Sequence, residues 1–87
     1  MSELPQRTVR ILLFGPIREI TGVGEIALEL EEASTGDAAF EALARRYPAL
    51  NPWRQSLRIA VNRSYVPADH PLHPGDEVGL VPPVSGG

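Results

Sequence analysis

The sequence has 87 residues, 43% of them apolar, with a formal net charge of −3. That is one small domain, 1–87, with a modest core, since chains of this size bury only about 60% of their unfolded surface. Clustered basic residues are missing, which argues against nucleic acid or an anionic membrane as partner. There is no cysteine, so disulfides, thiolate metal sites and a cysteine nucleophile are excluded.

All 8 basic residues are arginine, so no lysine side chain can accept an isopeptide bond. Residues 1–7 carry Glu3 and Pro5 and no apolar stretch; neither a signal peptide nor a membrane span is expected, and a cytoplasmic location follows as the expectation.

In chain order, residues 8–14 read as a first strand. Val9, Ile11 and Leu13 share one face, Arg10, Leu12 and Phe14 the other, and both turn apolar toward the end, as in a central strand. Gly15-Pro16 breaks it, and 17–22 is read as one helical turn stopped by Gly22. Residues 25–31 alternate cleanly, with Ile26, Leu28 and Leu30 inward and Ala27, Glu29 and Glu31 outward, and should pair antiparallel with the first strand.

The period then changes. Ser34 is a candidate N-cap with Asp37 three residues on, and Thr35 competes for the role. Phe40, Leu43, Ala44 and Tyr47 form one helical stripe, Arg45 and Arg46 suit the helix C-terminus, and Pro48 ends it. Residues 49–56 are read as a loop with Trp53 capping the core. Residues 57–61 form a third strand, Asn62-Arg63-Ser64 a turn, and Tyr65-Val66 a short fourth strand ended by Pro67. Pro74-Gly75 has the type II arrangement before a last strand, 77–81.

Five strands and one main helix indicate an α+β fold. The long connection allows a parallel pair, and the first and last strands are expected to form it at the sheet centre. That is the β-grasp, or ubiquitin-like, mixed sheet, here with a flexible C-terminal tail, 82–87. In that tail Pro82 and Pro83 lack N–H groups and stay extended, while Gly86 and Gly87 can enter a narrow channel. Asp69, His70, His73 and Asp76 lie close in sequence, but Pro71 and Pro74 interrupt them; they read as a solvated turn, and no metal site is expected. No Ser/His/Asp arrangement or phosphate-binding glycine loop is present.

A set of segments resembles the small subunits of molybdopterin synthase. They are Phe14-Gly15-Pro16-Ile17-Arg18-Glu19 with Gly22, Ala60-Val61-Asn62, Tyr65-Val66, Asp69 with Pro71-Leu72, Gly75-Asp76-Glu77-Val78, and Pro82-Pro83-Val84-Ser85-Gly86-Gly87. The resemblance is collinear over 9–87, and the final string is its most specific part. It implies a sulfur carrier: a non-catalytic subunit of a sulfurtransferase complex in molybdenum cofactor biosynthesis. Gly87, beside Gly86, is then the site of adenylation and thiocarboxylation. The implied partners are the synthase large subunit in a heterotetramer, an E1-like adenylyltransferase that uses ATP, and a sulfur donor; the chain itself binds no cofactor. The implied docking contacts are Phe14, Arg18, Tyr65, Leu80, Val81, Pro82, Pro83, Val84 and Ser85. Rival readings are a carrier for thiamine, cysteine or tRNA thiolation, a ubiquitin-like protein modifier, and a binding module whose tail merely docks.

Overall fold

The computed structural model describes residues 8–31 and 34–83. The elements run β1 (Thr8–Leu13), α1 (Gly15–Thr21), β2 (Glu25–Glu29), α2 (Gly36–Arg46), a 3-10 helix (Pro48–Trp53), β3 (Arg58–Val61), β4 (Ser64–Val66) and β5 (Glu77–Val81). The strands form one mixed sheet in the order β2-β1-β5-β3-β4. β1 and β5 pair in parallel near its middle, with Leu12 opposite Gly79 and Leu13 opposite Leu80. The other pairings are antiparallel. This is the α+β β-grasp arrangement, and the parallel central pair is as expected.

The period-two pattern sorts each strand into an inner and an outer face. Val9, Ile11 and Leu13 of β1, and Val78 and Leu80 of β5, are all at most 1% exposed and share one core cluster with residues of α2. From α2 the buried face is Ala39, Phe40, Leu43 and Ala44, the stripe expected from the 3.6 period. The helix lies close to β3: a β-carbon on Gly36 would come within 3.1 Å of the Ile59 side chain. Among the described residues no helix is long and apolar enough to cross a membrane.

The cap of α2 is Thr35, not Ser34. Its hydroxyl accepts the Ala38 N–H at 3.2 Å. The cause is tertiary. Leu72 N–H donates to Ser34 O and Gly36 N–H to His70 O, and Thr35 bridges Pro71, which holds the chain extended through residue 35. The Ser34 hydroxyl instead donates back to Glu31 O.

Residues 48–53 are a 3-10 helix rather than a loop. Pro48 and Pro52 remove N–H donors that an α-helix needs, while the i→i+3 bonds Leu50 N–H to Tyr47 O and Arg54 N–H to Asn51 O remain possible. The turn drives Leu50 fully into the core, with Trp53 packed partly against it. Arg54 then ties this turn to α2 through Asp37 at 2.8 Å and Glu41 at 3.3 Å.

Three turns complete the frame. Gly22 closes α1 in the left-handed region at φ 82°, its N–H donating to Arg18 O. Gly75 takes φ 87° as the type II turn at Pro74 requires. The β3–β4 hairpin turns through two residues of positive φ, Asn62 at 50° and Arg63 at 75°, as the tight I′ connection demands. Arginine in that second place costs about 1 kcal/mol relative to glycine.

Candidate functional site

α2 covers one face of the sheet, and the other face is open. One row of residues crosses all five strands on the open side: Glu25, Leu12, Gly79, Ala60 and Tyr65, each opposite the next. Gly79 is the low point. It sits in a strand interior, where glycine marks close approach by another group. Here that group is Phe14, whose Cε2 would lie 3.6 Å from a β-carbon at position 79. Around Gly79, a shallow apolar pocket of about 120 Å³ is lined by Leu12, Phe14, Ala60 and Val81, with Glu77 and Arg63 at its rim.

Phe14 is fixed by its place between two elements. It continues the outward face of β1 and also caps α1 in an extended conformation, φ −130° and ψ 156°. Its carbonyl accepts the N–H groups of Ile17 and Arg18. The ring remains 46% exposed. Tyr65 is 58% exposed, and the Arg58 guanidinium stands 4.3 Å from its ring centroid, a cation–π contact at the β4 edge. Arg18 lies exposed against Gly24, where a β-carbon would meet its Nε and Cζ at 3.4 Å.

Not every expected contact lies on this face. Leu80 is 1% exposed and points into the core, so it is removed from the docking set. Its neighbour Val81 is half-buried on the open side. The pairing of Leu80 with Leu13 and Ile59 decides this: all three lie on the inner face. Pro82 is half-buried and Pro83 exposed. A β-carbon on Gly15 would lie 3.4 Å from Pro82 Cγ, so the chain leaves β5 alongside the β1–α1 junction. Val84, Ser85, Gly86 and Gly87 lie outside the described residues.

Sequence reasoning did not single out Leu12, Ala60, Gly79 or Arg63 as part of this site. The signal for Gly79 was present: a glycine inside an otherwise apolar strand. The turn at 73–76 also has a defined chemistry. Asp76 accepts the His73 N–H at 2.8 Å and the Asn62 side-chain amide at 3.0 Å, and Asn62 in turn accepts the Glu77 N–H at 3.1 Å. The Asp76 carboxylate therefore ties two loops together. Among the described residues no group of three His, Asp or Glu side chains is gathered for a metal.

An ion-paired row runs beside the pocket. Arg10 contacts Glu77 at 2.6 Å and Glu25 at 3.5 Å, and Arg63 approaches Glu77 at 3.9 Å. The geometry offers an apolar docking face with charged edges, next to the point where the chain departs toward Gly87.

Comparisons with known proteins bear on what such a face serves. The model of the ThiS family matches residues 11–87. The sequence is 32% identical over 79 residues to a molybdopterin synthase sulfur carrier subunit of Arabidopsis thaliana, covering 91% of this chain and 82% of that one. A solved structure of a molybdopterin converting factor subunit 1 from Pyrococcus furiosus superposes with a TM-score of 0.80 at 30% identity, covering 88% of this chain and 98% of that one. Another solved structure, a complex of subunits 1 and 2 of molybdopterin-converting factor from Helicobacter pylori, contains a chain matching with a TM-score of 0.64 at 28% identity, covering 92% of this chain and 99% of that one.

Proposed function

Because the chain belongs to the ThiS family, among the molybdopterin synthase sulfur carrier subunits, we propose that it carries sulfur as a thiocarboxylate on Gly87. The observation that carries this reading is the family match running through Gly87, with four residues between Gly86-Gly87 and the end of β5, a strand that forms part of the open face.

A glycine carboxylate is a poor electrophile. An E1-like partner activates it: the Gly87 carboxylate attacks the α-phosphorus of ATP, pyrophosphate leaves, and an acyl-adenylate forms. Sulfur delivered by the donor at the hydrosulfide level then attacks the acyl carbon, forming the C–S bond of the thiocarboxylate as the bond to AMP breaks. The charged tail enters the synthase large subunit, where its sulfur attacks cyclic pyranopterin monophosphate; water then cleaves the resulting thioester, leaving the sulfur on the pterin and returning the Gly87 carboxylate, and a second charged carrier supplies the other sulfur of the dithiolene. The chain contributes a reagent and a docking face, while the partners contribute the active sites. Its composition suits the role: with no lysine and no cysteine, no side-chain amine or thiol of its own competes for the activated carboxyl.

On this reading the open face around Gly79, with Phe14, Tyr65 and Val81, docks the partners and Pro82-Pro83 directs the tail. Its support is that Phe14 and Tyr65 stay largely exposed, at 46% and 58%, on the face the chain's helix does not cover. The test is the intact mass of the chain after incubation with the activating enzyme, ATP and a sulfur donor. The expected result is exchange of one oxygen for sulfur, mapped to Gly87. No exchange, with an activating enzyme that charges a control carrier, would overturn the proposal and favour a protein modifier or a pure binding module.

A further inference from the structure

We propose that Arg63 is a specificity-determining residue of the docking face: its guanidinium pairs with a carboxylate that the partner protein carries beside the apolar side chain seated over Gly79. The inference rests on the reading of the open face as the docking surface and adds the chemistry of what docks there.

Three observations carry it. First, Arg63 occupies the second turn position of the β3–β4 hairpin at φ 75°, a place that favours glycine. A long cation kept there against backbone preference points to a use for its side chain. Second, that side chain lines the pocket over Gly79 yet is 89% exposed. Its approach to Glu77 is long, 3.9 Å, and Glu77 is already held by Arg10 at 2.6 Å. The stem walls the pocket and the guanidinium reaches past it. Third, the charge beside the pocket differs from that of the chain. Arg10 and Arg63 stand there against Glu25 and Glu77, a balance of zero, whereas the whole chain carries −3. Arg10 is taken up by two glutamates, which leaves Arg63, among the described residues, as the outward cation of the rim. A single guanidinium beside an apolar pocket suits one carboxylate next to an apolar knob on a protein surface. It does not suit a polyanion, which needs several cations in line.

When the partner seats, the pair is partly desolvated and becomes stronger and less screened than an exposed surface pair. Arg63 thereby selects a partner with an acid at that point and disfavours one with a base.

The experiment is calorimetric titration of the full chain with the synthase large subunit of the same organism, at about 50 and about 300 mM salt. Arg63→Gln is expected to weaken binding about 5- to 20-fold at the lower salt and to flatten the salt dependence, and Arg63→Glu to weaken it further. Arg63→Gly is expected to weaken binding like Arg63→Gln while raising the melting temperature, because the left-handed strain is relieved. A purely structural arginine would instead lose stability and affinity together, and that outcome for Arg63→Gly overturns the proposal. Binding of Arg63→Gln and Arg63→Gly within about twofold of the parent, with the same salt dependence, overturns it too. Phe14→Ala, run alongside, separates the two readings. If Phe14→Ala binds weakly while the Arg63 variants do not, the docking face stands and only the role of Arg63 falls. If Phe14→Ala also binds like the parent, the docking-face reading falls and takes this one with it.

Discussion

The ring of Phe14 stands against Gly79, with Cε2 placed 3.6 Å from where a β-carbon on that glycine would lie. The two residues are 65 positions apart in the chain, brought together because β1 and β5 pair in parallel. The contact shapes the open face: an aromatic wall beside a bare floor. Phe14 is 46% exposed, so its removal loses only part of a side chain's burial, about 1 kcal/mol of stability rather than the 3–5 kcal/mol of a buried phenylalanine. Aromatic residues at the centre of an interface carry far more in binding. Phe14→Ala is therefore expected to leave the urea midpoint nearly unchanged and to weaken large-subunit binding at least about tenfold. Denaturation curves and titration of the same sample check both halves.

Gly79 yields the complementary prediction. A β-carbon there would meet Phe14, Ala60 and Val81 at 3.6–3.8 Å, ordinary contact, and no positive φ constrains the residue. Gly79→Ala is expected to fold with equal or slightly higher stability, by up to about 1 kcal/mol, since alanine loses less backbone entropy. It fills part of the pocket, so binding should weaken while stability does not. A joint loss of stability and binding would show that the bare floor serves the fold.

Leu80→Ala should behave in the opposite way. Leu80 is 1% exposed and sits between Leu13 and Ile59, so truncation leaves a cavity and costs about 2–5 kcal/mol. For a domain whose total stability is about 5–10 kcal/mol, that is a large shift in the urea midpoint. Affinity per folded molecule should stay near that of the parent.

Leu80 also shows what the sequence left open. Leu80 and Val81 are adjacent and both apolar, so period two alone assigns neither to the core. Their faces are set by register with β1, a pairing across more than sixty residues. Where polar residues mark one face, the reading was direct: Glu25 and Glu29 sort β2, and the Phe40, Leu43, Ala44 stripe locates α2. The parallel β1–β5 pair followed from element order and the length of the crossover. The 3-10 helix was not legible, since Pro48 and Pro52 read as breakers and three residues per turn leave no amphipathic period in six residues. The exchange of Ser34 for Thr35 as cap was set by backbone bonds to 70–72, which lie far along the chain. The tail motif was the most specific signal in the sequence, and its last four residues lie outside the described structure.

Asp76 is predicted to be a stability residue with no part in docking. Its carboxylate accepts from His73 N–H and the Asn62 amide, and so joins the turn before β5 to the β3–β4 hairpin. Asp76→Ala leaves both donors to water at a partly exposed site, at a cost of about 1–2 kcal/mol. Asp76→Asn keeps one acceptor and should lose about half of that. Chemical denaturation of the two variants, with unchanged large-subunit affinity for the folded fraction, is the check.

Deletion of Gly86-Gly87 separates fold from chemistry. The last strand ends at Val81, and its pairings with β1 and β3 involve no residue beyond it. Pro82 and Pro83 offer no N–H to any ladder, so the sheet gains nothing from continuing. The truncated chain should thus unfold at the same denaturant concentration as the parent. It also keeps Phe14, Tyr65, Val81 and the pocket over Gly79, so a substantial part of the affinity for the large subunit should survive. What is lost, on the proposed reading, is the glycine carboxyl that would be adenylated and then carry sulfur. Sulfur transfer is expected to fall to background, because no other group on a chain without cysteine or lysine can replace that carboxyl. Molybdopterin formation by the reconstituted synthase reads this directly. Activity in the truncated chain would place the sulfur elsewhere and overturn the assignment of Gly87.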